Sequence, residues 1–320
     1  MPVKLVCASH TPMMEFIHPP ADVEAKARQA FKDLAADVAA YDPEVIVLFA
    51  PDHFNGFFYD LMPPFCIGLR AACAGDWDIG HGPLNVPEAL ALDLVQALQA
   101  EDLDVPYSYR MQADHGFTQP LELLAGSVGR YPVIPIFING AARPLPPCRR
   151  AVQLGQAVGR FLSQRPERVL VIGSGGLSHD PPTPQFGSVP PEIEEFLIAG
   201  RNPTPEARNT RQQRVLNTGR LLAEGKGESL RLNAEWDMGL IDSFSQADMD
   251  RFMAMTNEEI LEHGGRGGQE IRAWIAAFAC MQAVGEYRTT THYYHPIDEW
   301  IAGMAMVSAD SVAARKEAQA

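Results

Sequence analysis

The chain has 320 residues, a length that suits one large domain or two small ones. Its 40 acidic and 26 basic side chains give a formal net charge of −14, and no run of clustered Lys and Arg interrupts that balance. Because nucleic-acid binding depends on cations that neutralise phosphates, we expect no nucleic-acid partner. A composition of 46% apolar and 21% charged residues is typical of a globular protein with a sizeable core, which excludes disorder and fibrous structure.

Neither a secretory signal nor a membrane span is predicted. The first residues lack the basic start and long apolar stretch of a signal peptide. The longest apolar run, 273–281, is far shorter than the roughly 20 residues that a bilayer span needs. The five cysteines are scattered and form no C-x-x-C pair, which fits neither a disulfide framework nor a zinc-thiolate site. We therefore expect a cytoplasmic protein without a membrane partner.

Three apolar runs share one design, in which a β-branched stretch breaks into small or turn-forming residues and then reaches a histidine. Residues 3–9 lead to His10, residues 45–50 lead to His53, and residues 169–178 lead to His179. Runs without polar alternation are typical of strands that are buried on both faces. Residues 133–138 form a fourth candidate strand.

Helical patterns separate these runs and dominate after residue 190. They cover residues 21–41, 87–101, 146–164, 208–223, 247–263 and 267–285. Strands that alternate with helices predict an α/β fold, a single domain over 1–310 with a central mostly parallel or mixed sheet flanked by helices and a helix-rich C-terminal half. Residues 311–320 are predicted to be a flexible tail, and no low-complexity linker divides the chain.

The positions of the three histidines predict a shared site. Ligands in open α/β sheets gather at the carboxyl ends of the strands, so His10, His53 and His179 would converge if their strands are neighbours. The sequence has no H-E-x-x-H, G-x-S-x-G or phosphate-loop motif. The glycines of 173–176 indicate that the backbone passes close to something beside His179.

A site built from imidazole and carboxylate groups remains. Two histidines and one carboxylate on one face of a metal are the ligand set of non-haem Fe(II) oxygenases. A fourth histidine, His115, follows Asp114 in a loop, where a structural and a functional role are equally compatible with the composition.

Several sequence blocks resemble one enzyme family. They are residues 7–12 (CASHTP), 49–53 (FAPDH), 113–116 (ADHG), 173–179 (GSGGLSH), 232–237 (LNAEWD) and 258–268 (EEILEHGGRGG). In this order they are similar to the class III extradiol ring-cleaving dioxygenases, whose best-known member is the β subunit of protocatechuate 4,5-dioxygenase. The resemblance runs from residue 1 to beyond residue 300.

The resemblance implies both a cofactor and residue roles. Fe(II) would be held by His10, His53 and Glu235. His179 would be the general base and His115 the general acid. With O2, such an enzyme opens the ring of a 3-substituted catechol next to its two hydroxyls, in the breakdown of aromatic acids, and family members usually form homo-oligomers.

The sequence leaves other points open. A carboxylate on the substrate's side chain would need a cation, and Arg201, Arg266 and Arg288 are alternatives for it. A non-catalytic metal-binding or interaction scaffold of the same fold is one alternative function. A zinc hydrolase that uses the same three ligands is another.

Overall fold

The computed structural model describes residues 3–312. Strands within this range are β1 Val3–Ala8, β2 Val45–Ala50, β3 Phe65–Gly68, β4 Ala71–Cys73, β5 Tyr107–Ser108, β6 Met111–Ala113, β7 Val133–Ile138, β8 Val169–Ser174, β9 Tyr287–Ile297 and β10 Ala302–Ser311. The α-helices of the same range are α1 Ala21–Tyr41, α2 Glu88–Ala100, α3 His115–Ala125, α4 Cys148–Leu162, α5 Pro191–Ala199, α6 Pro205–Ala223, α7 Ala234–Ser245, α8 Met249–Ala254, α9 Asn257–Gly264 and α10 Ile271–Val284. A 3-10 helix, Gly267–Glu270, directly precedes α10.

Eight strands form one mixed sheet in the order β5-β3-β7-β2-β8-β1-β10-β9. Its centre is parallel, because β2 pairs in parallel with β7 and β8, and β8 pairs in parallel with β1. The flanks are antiparallel, with β3 against β7 and β10 against β1. The predicted α/β class with a mostly parallel or mixed sheet is confirmed, and six of the α-helices follow residue 190.

The central strands are buried on both faces, as their unbroken apolar runs predicted. In β1, Leu5 and Cys7 join the core on one side of the sheet, while Val6 and Ala8 join the core on the other. Helices α2, α4 and α10 cover the first side, and α1 and α3 cover the second. This three-layer arrangement leaves the carboxyl ends of the strands as the place for a site.

Helices α4 and α10 approach closely through glycine. A Cβ on Gly155 would lie 2.1 Å from the carbonyl oxygen of Ala276, and one on Gly159 would lie 2.3 Å from that of Cys280. Any larger side chain in these places would push the helices apart. Since α10 begins immediately after Glu270, this packing also sets the position of that carboxylate.

The strand order brings three predicted histidines to one edge of the sheet. His10 follows β1, His53 follows β2 and His179 follows β8, and these strands are parallel neighbours. The expected convergence is confirmed. Of the predicted tail, residues 313–320 lie outside the described range, while Ser311 is the last residue of β10. Among residues 3–312, no helix has both the length and the apolar character to cross a bilayer.

Candidate metal centre

Four histidines and one glutamate line a single cavity at the carboxyl ends of the parallel strands. They are His10, His53, His115, His179 and Glu270. The ligand nitrogens of His10, His53 and His115 all lie within 4.8 Å of one another. The cavity therefore gathers imidazole and carboxylate groups as the strand ends predicted.

The outward-facing nitrogen of His10 is selected by a hydrogen-bond chain. Ser174 donates its hydroxyl hydrogen to the carbonyl oxygen of Gly116 at 2.7 Å, so its Oγ accepts the Nδ1 hydrogen of His10 at 2.9 Å. The lone pair of His10 is then on Nε2, which faces the cavity. Burial lowers the pKa of His10 to about 3 despite the attraction of Glu270. The ring is therefore neutral, which is the form in which histidine binds a metal.

His53 is oriented by a buried carboxylate. Asp114, the N-cap of α3, accepts both the backbone N–H and the Nδ1 hydrogen of His53 at 2.9 Å. Burial alone would raise the pKa of Asp114, but His53 and His115 outweigh it and the pKa is lowered. A carboxylate that fixes the tautomer of a ligating histidine is a common outer partner of metal sites. Nε2 of His53 is therefore the atom that faces the cavity.

The carboxylate of Glu270 lies close to the Nε2 atoms of three histidines. Its Oε1 lies 3.1 Å from Nε2 of His53 and 3.1 Å from Nε2 of His179, and its Oε2 lies 3.9 Å from Nε2 of His10. Burial would raise the pKa of Glu270, but His179 and His53 lower it well below its usual range. Imidazole nitrogens and a carboxylate that converge on one point are a donor set that fits a metal ion, which would take the place of the protons between them.

Glu270 stands where the resemblance assigned Glu235. Glu235 is the second residue of α7, is exposed, and does not line the cavity. Its placement contradicts the prediction that Glu235 is a metal ligand. The buried carboxylate of that sequence block is instead Asp237, which accepts hydrogen bonds from the backbone and hydroxyl of Ser178 and from Tyr294. It supports the turn that carries His179.

His179 is held between two glycine backbones. A Cβ on Gly267 would lie 2.2 Å from Nε2 of the ring, and one on Gly176 would lie 2.5 Å from Nδ1. The ring donates its Nδ1 hydrogen to the carbonyl oxygen of Leu177 at 3.1 Å, which leaves Nε2 as its basic atom. The predicted close approach at the glycines of 173–176 is confirmed, and the group approached is the ring of His179.

His115 is clamped by Asp76. Its backbone N–H donates to Oδ1 at 3.0 Å and its Nδ1 donates to Oδ2 at 2.5 Å. The ring also stacks on His53, with 4.2 Å between centroids. Nε2 is therefore the atom of His115 that can exchange a proton with the cavity.

Sequence reasoning missed three carboxylates of this site, Glu270, Asp76 and Asp114. Glu270 had a visible signal, because it follows the glycine-rich block 264–268 at the start of a predicted helix. Asp114 was visible as the neighbour of His115, but its partner is His53. Asp76 begins a three-residue 3-10 helix, 39 positions from the histidine that it binds, and nothing in the local sequence marks it.

Comparison with known proteins identifies the family of the chain. The family model for the catalytic LigB subunit of aromatic ring-opening dioxygenase matches residues 4–305. A protein from Photorhabdus laumondii named 2,3-dihydroxyphenylpropionate/2,3-dihydroxicinnamic acid 1,2-dioxygenase is 60% identical over 312 residues, which covers 98% of each chain. A protein of the same name from Paraburkholderia xenovorans is 49% identical and covers 98% of this chain and 99% of that one.

Among solved structures, an uncharacterized protein from Escherichia coli K12 shares the fold. Its TM-score is 0.51 at 13% identity, over 96% of this chain and 99% of that one. The family model and the relatives extend over the sheet, the four histidines and Glu270 alike. The chain belongs to the LigB family of metal-dependent aromatic ring-opening dioxygenases and is an extradiol ring-cleaving enzyme.

Proposed function

We propose that the protein uses Fe(II), held by His10, His53 and Glu270, to open 3-(2,3-dihydroxyphenyl)propionate with O2. The ring would break next to its two hydroxyls and give a hydroxy-keto-dienedioate, in the catabolism of aromatic acids. The observation that carries the proposal is the approach of Nε2 of His10 and Nε2 of His53 to the Glu270 carboxylate. Relatives named for this substrate at up to 60% identity support the choice of catechol.

The ligand set suits ferrous iron. Two histidines and one carboxylate on one face leave coordination positions for the two catechol oxygens and for O2, which is the chemistry that the metal supplies. The cavity offers imidazole and carboxylate groups as metal ligands. It offers no thiolate, since none of the cavity-lining residues is a cysteine.

His179 and His115 would move the protons. Nδ1 of His179 donates to Leu177, so Nε2 is the atom through which the neutral ring would take a proton from a catechol hydroxyl. His115 would deliver a proton to the oxygen that departs as the ring opens, through the nitrogen that Asp76 leaves free. Apolar side chains on the cavity wall would exclude water from the ring, among them Phe54, Trp77, Leu197 and Val215.

A direct assay tests this function. Protein loaded with Fe(II) without air should consume O2 and form a yellow ring-opened product from 3-(2,3-dihydroxyphenyl)propionate, while zinc-loaded protein should be inactive. Turnover that continues without O2 would point to the hydrolase alternative. Absence of O2 uptake with any 3-substituted catechol would favour the non-catalytic scaffold.

We also propose that the enzyme works in the cytoplasm as a homo-oligomer, as the family resemblance implies. Light scattering of the purified protein should give a multiple of the mass of one chain. The mass of a single chain at micromolar concentration would contradict this assembly.

A further inference from the structure

Arginines are concentrated at the cavity of an otherwise acidic protein. The cavity is lined by Arg143, Arg208, Arg211, Arg214 and Arg266. Lining carboxylates are Asp76 and Glu270, and both are bound to histidines. Since the chain carries a net charge of −14, this is a local reversal of charge that attracts an anion.

Two of these arginines differ from the rest because they are half-buried without an acidic partner. Arg266 pairs with Asp180, and Arg143 and Arg214 are exposed. For Arg208 and Arg211, no carboxylate among residues 3–312 lies within ion-pair distance. A half-buried guanidinium without a carboxylate at ion-pair distance has lost part of its hydration and has no anion in its place. Such a group is stabilised by an anion that arrives with the ligand.

Both guanidinium groups are anchored to the backbone of the catalytic loops. Nη2 of Arg211 donates to the carbonyl oxygen of His53 at 3.1 Å, and Nη1 of Arg208 donates to that of Gly75 at 2.6 Å. The guanidinium of Arg211 also lies over the ring of Phe196, 4.4 Å from its centroid. One hydrogen bond uses one of the five donors of a guanidinium, so several remain for a ligand.

Helix α6 aims these side chains at the cavity. Arg208, Arg211, Gln212 and Val215 have the i, i+3, i+4 and i+7 spacing of one helix face, and all four line the cavity. Leu216 and Leu222 of the same helix are buried in the core. The packing of these leucines therefore fixes the orientation of the arginine-bearing face.

We infer that Arg211, assisted by Arg208, binds the side-chain carboxylate of the catechol substrate and sets the preference for acidic over neutral 3-substituents. This inference rests on the proposed function. Arg211 donates to the backbone carbonyl of His53 and lines the same cavity, so it would be within reach of a short side chain on a ring held at the metal. The three arginines that the sequence left open do not compete, since Arg201 and Arg266 pair with Asp60 and Asp180 and Arg288 is exposed on β9.

The test compares two catechols with side chains of equal length. For 3-(2,3-dihydroxyphenyl)propionate, Arg211→Gln should lower kcat/KM by roughly 10–100-fold, the range for a hydrogen bond to a charged group. For neutral 3-propylcatechol, the same variant should lower kcat/KM by a clearly smaller factor, because only the loss of the hydrogen bond to the backbone of His53 affects that substrate. Arg211→Lys should recover part of the loss, and Arg208→Gln should show a smaller loss with the same selectivity.

Arg220→Gln is the matched control, because Arg220 lies exposed on α6 away from the cavity. It should match the wild type with both substrates. The inference would be overturned if Arg211→Gln lost the same factor in kcat/KM with the acid and with propylcatechol. It would also be overturned if the wild type had equal kcat/KM values for the two substrates. Thermal unfolding of each variant shows whether it folds, and if Arg211→Gln does not, Arg208→Gln decides the question.

A binding measurement separates this inference from the proposed function. Calorimetric titration of metal-free protein with 3-(2,3-dihydroxyphenyl)propionate should show a Kd that is weaker in Arg211→Gln by a similar factor. If iron-loaded wild type opens no catechol but this difference in Kd remains, the proposed function is wrong and the carboxylate subsite stands. If turnover occurs and Kd is unchanged by the substitution, the subsite is wrong.

Discussion

Asp76 holds His115 at two points, with Oδ1 accepting the backbone N–H at 3.0 Å and Oδ2 accepting the Nδ1 hydrogen at 2.5 Å. Both residues are buried, so this contact is little screened by solvent. The pair fixes the ring plane and the tautomer of His115 at once. Asp76 is therefore a positioning residue for His115, the proton donor that we propose.

Asp76→Asn should keep the shape of the side chain but replace one of its two acceptor oxygens with an amide nitrogen. The amide would face Nδ1 with a donor, so the ring would turn or change tautomer. We expect kcat to fall about 10–100-fold, the range for outer partners of metal sites, with iron content unchanged. Asp78→Asn, at an exposed neighbour, is the control. Equal rates for the two variants would show that the clamp has no catalytic importance.

Substitutions of Glu270 and Glu235 should have different effects on metal content. Glu270→Gln removes a buried negative charge beside three imidazoles and should lose most of the iron and the activity. Glu235→Gln changes an exposed residue on α7 and should leave both as in the wild type. Iron measured after anaerobic gel filtration decides between them. An iron-free Glu235→Gln with a loaded Glu270→Gln would reverse our assignment.

His115 and His179 should be dispensable for iron but not for turnover. His115→Ala and His179→Ala should each bind iron almost normally and lose about 10²–10⁴-fold in kcat, the usual contribution of a positioned acid or base. His10→Ala and His53→Ala should lose the metal itself. Loss of iron in His115→Ala would instead identify His115 as a ligand, which its short distance to His10 and His53 permits.

Gly267 should be a sensitive position for catalysis. A methyl group there would lie 2.2 Å from Nε2 of His179, so in Gly267→Ala the ring must move. Displacement of a catalytic group by about 1 Å can cost about 10²-fold in rate. The matched variant is Gly129→Ala, where nothing lies within 4 Å of the added carbon. Both variants should retain their iron. Only Gly267→Ala should show a lower steady-state rate.

Gly155 should matter for stability. In Gly155→Ala the added carbon would lie 2.1 Å from the carbonyl oxygen of Ala276, which forces α4 and α10 apart. We expect the free energy of unfolding in urea to fall by about 1–3 kcal/mol, the range for overpacking a core. The better helix propensity of alanine, worth about 1 kcal/mol, offsets part of this. An unfolding free energy no lower than that of Gly129→Ala would contradict the close packing.

The parts of the fold that the sequence predicted depend on short-range patterns. Unbroken β-branched runs identified β1, β2 and β8 as strands buried on both faces, and glycines marked the backbone that passes His179. A histidine at the end of each strand then required only that the strands be neighbours. The physical basis is that burial on two faces excludes polar residues from the whole run, which a single sequence displays.

The sequence by itself thus determined the α/β class, the convergence of His10, His53 and His179, and the imidazole–carboxylate chemistry of the cavity. Only the tertiary structure decided which carboxylates take part. Glu235 and Glu270 both stand at the start of a helix, and a lone glutamate carries no local mark of burial. The close packing of α4 and α10 buries one of them among the histidines, and contacts between residues far apart in the chain do the same for Asp76 and Arg211.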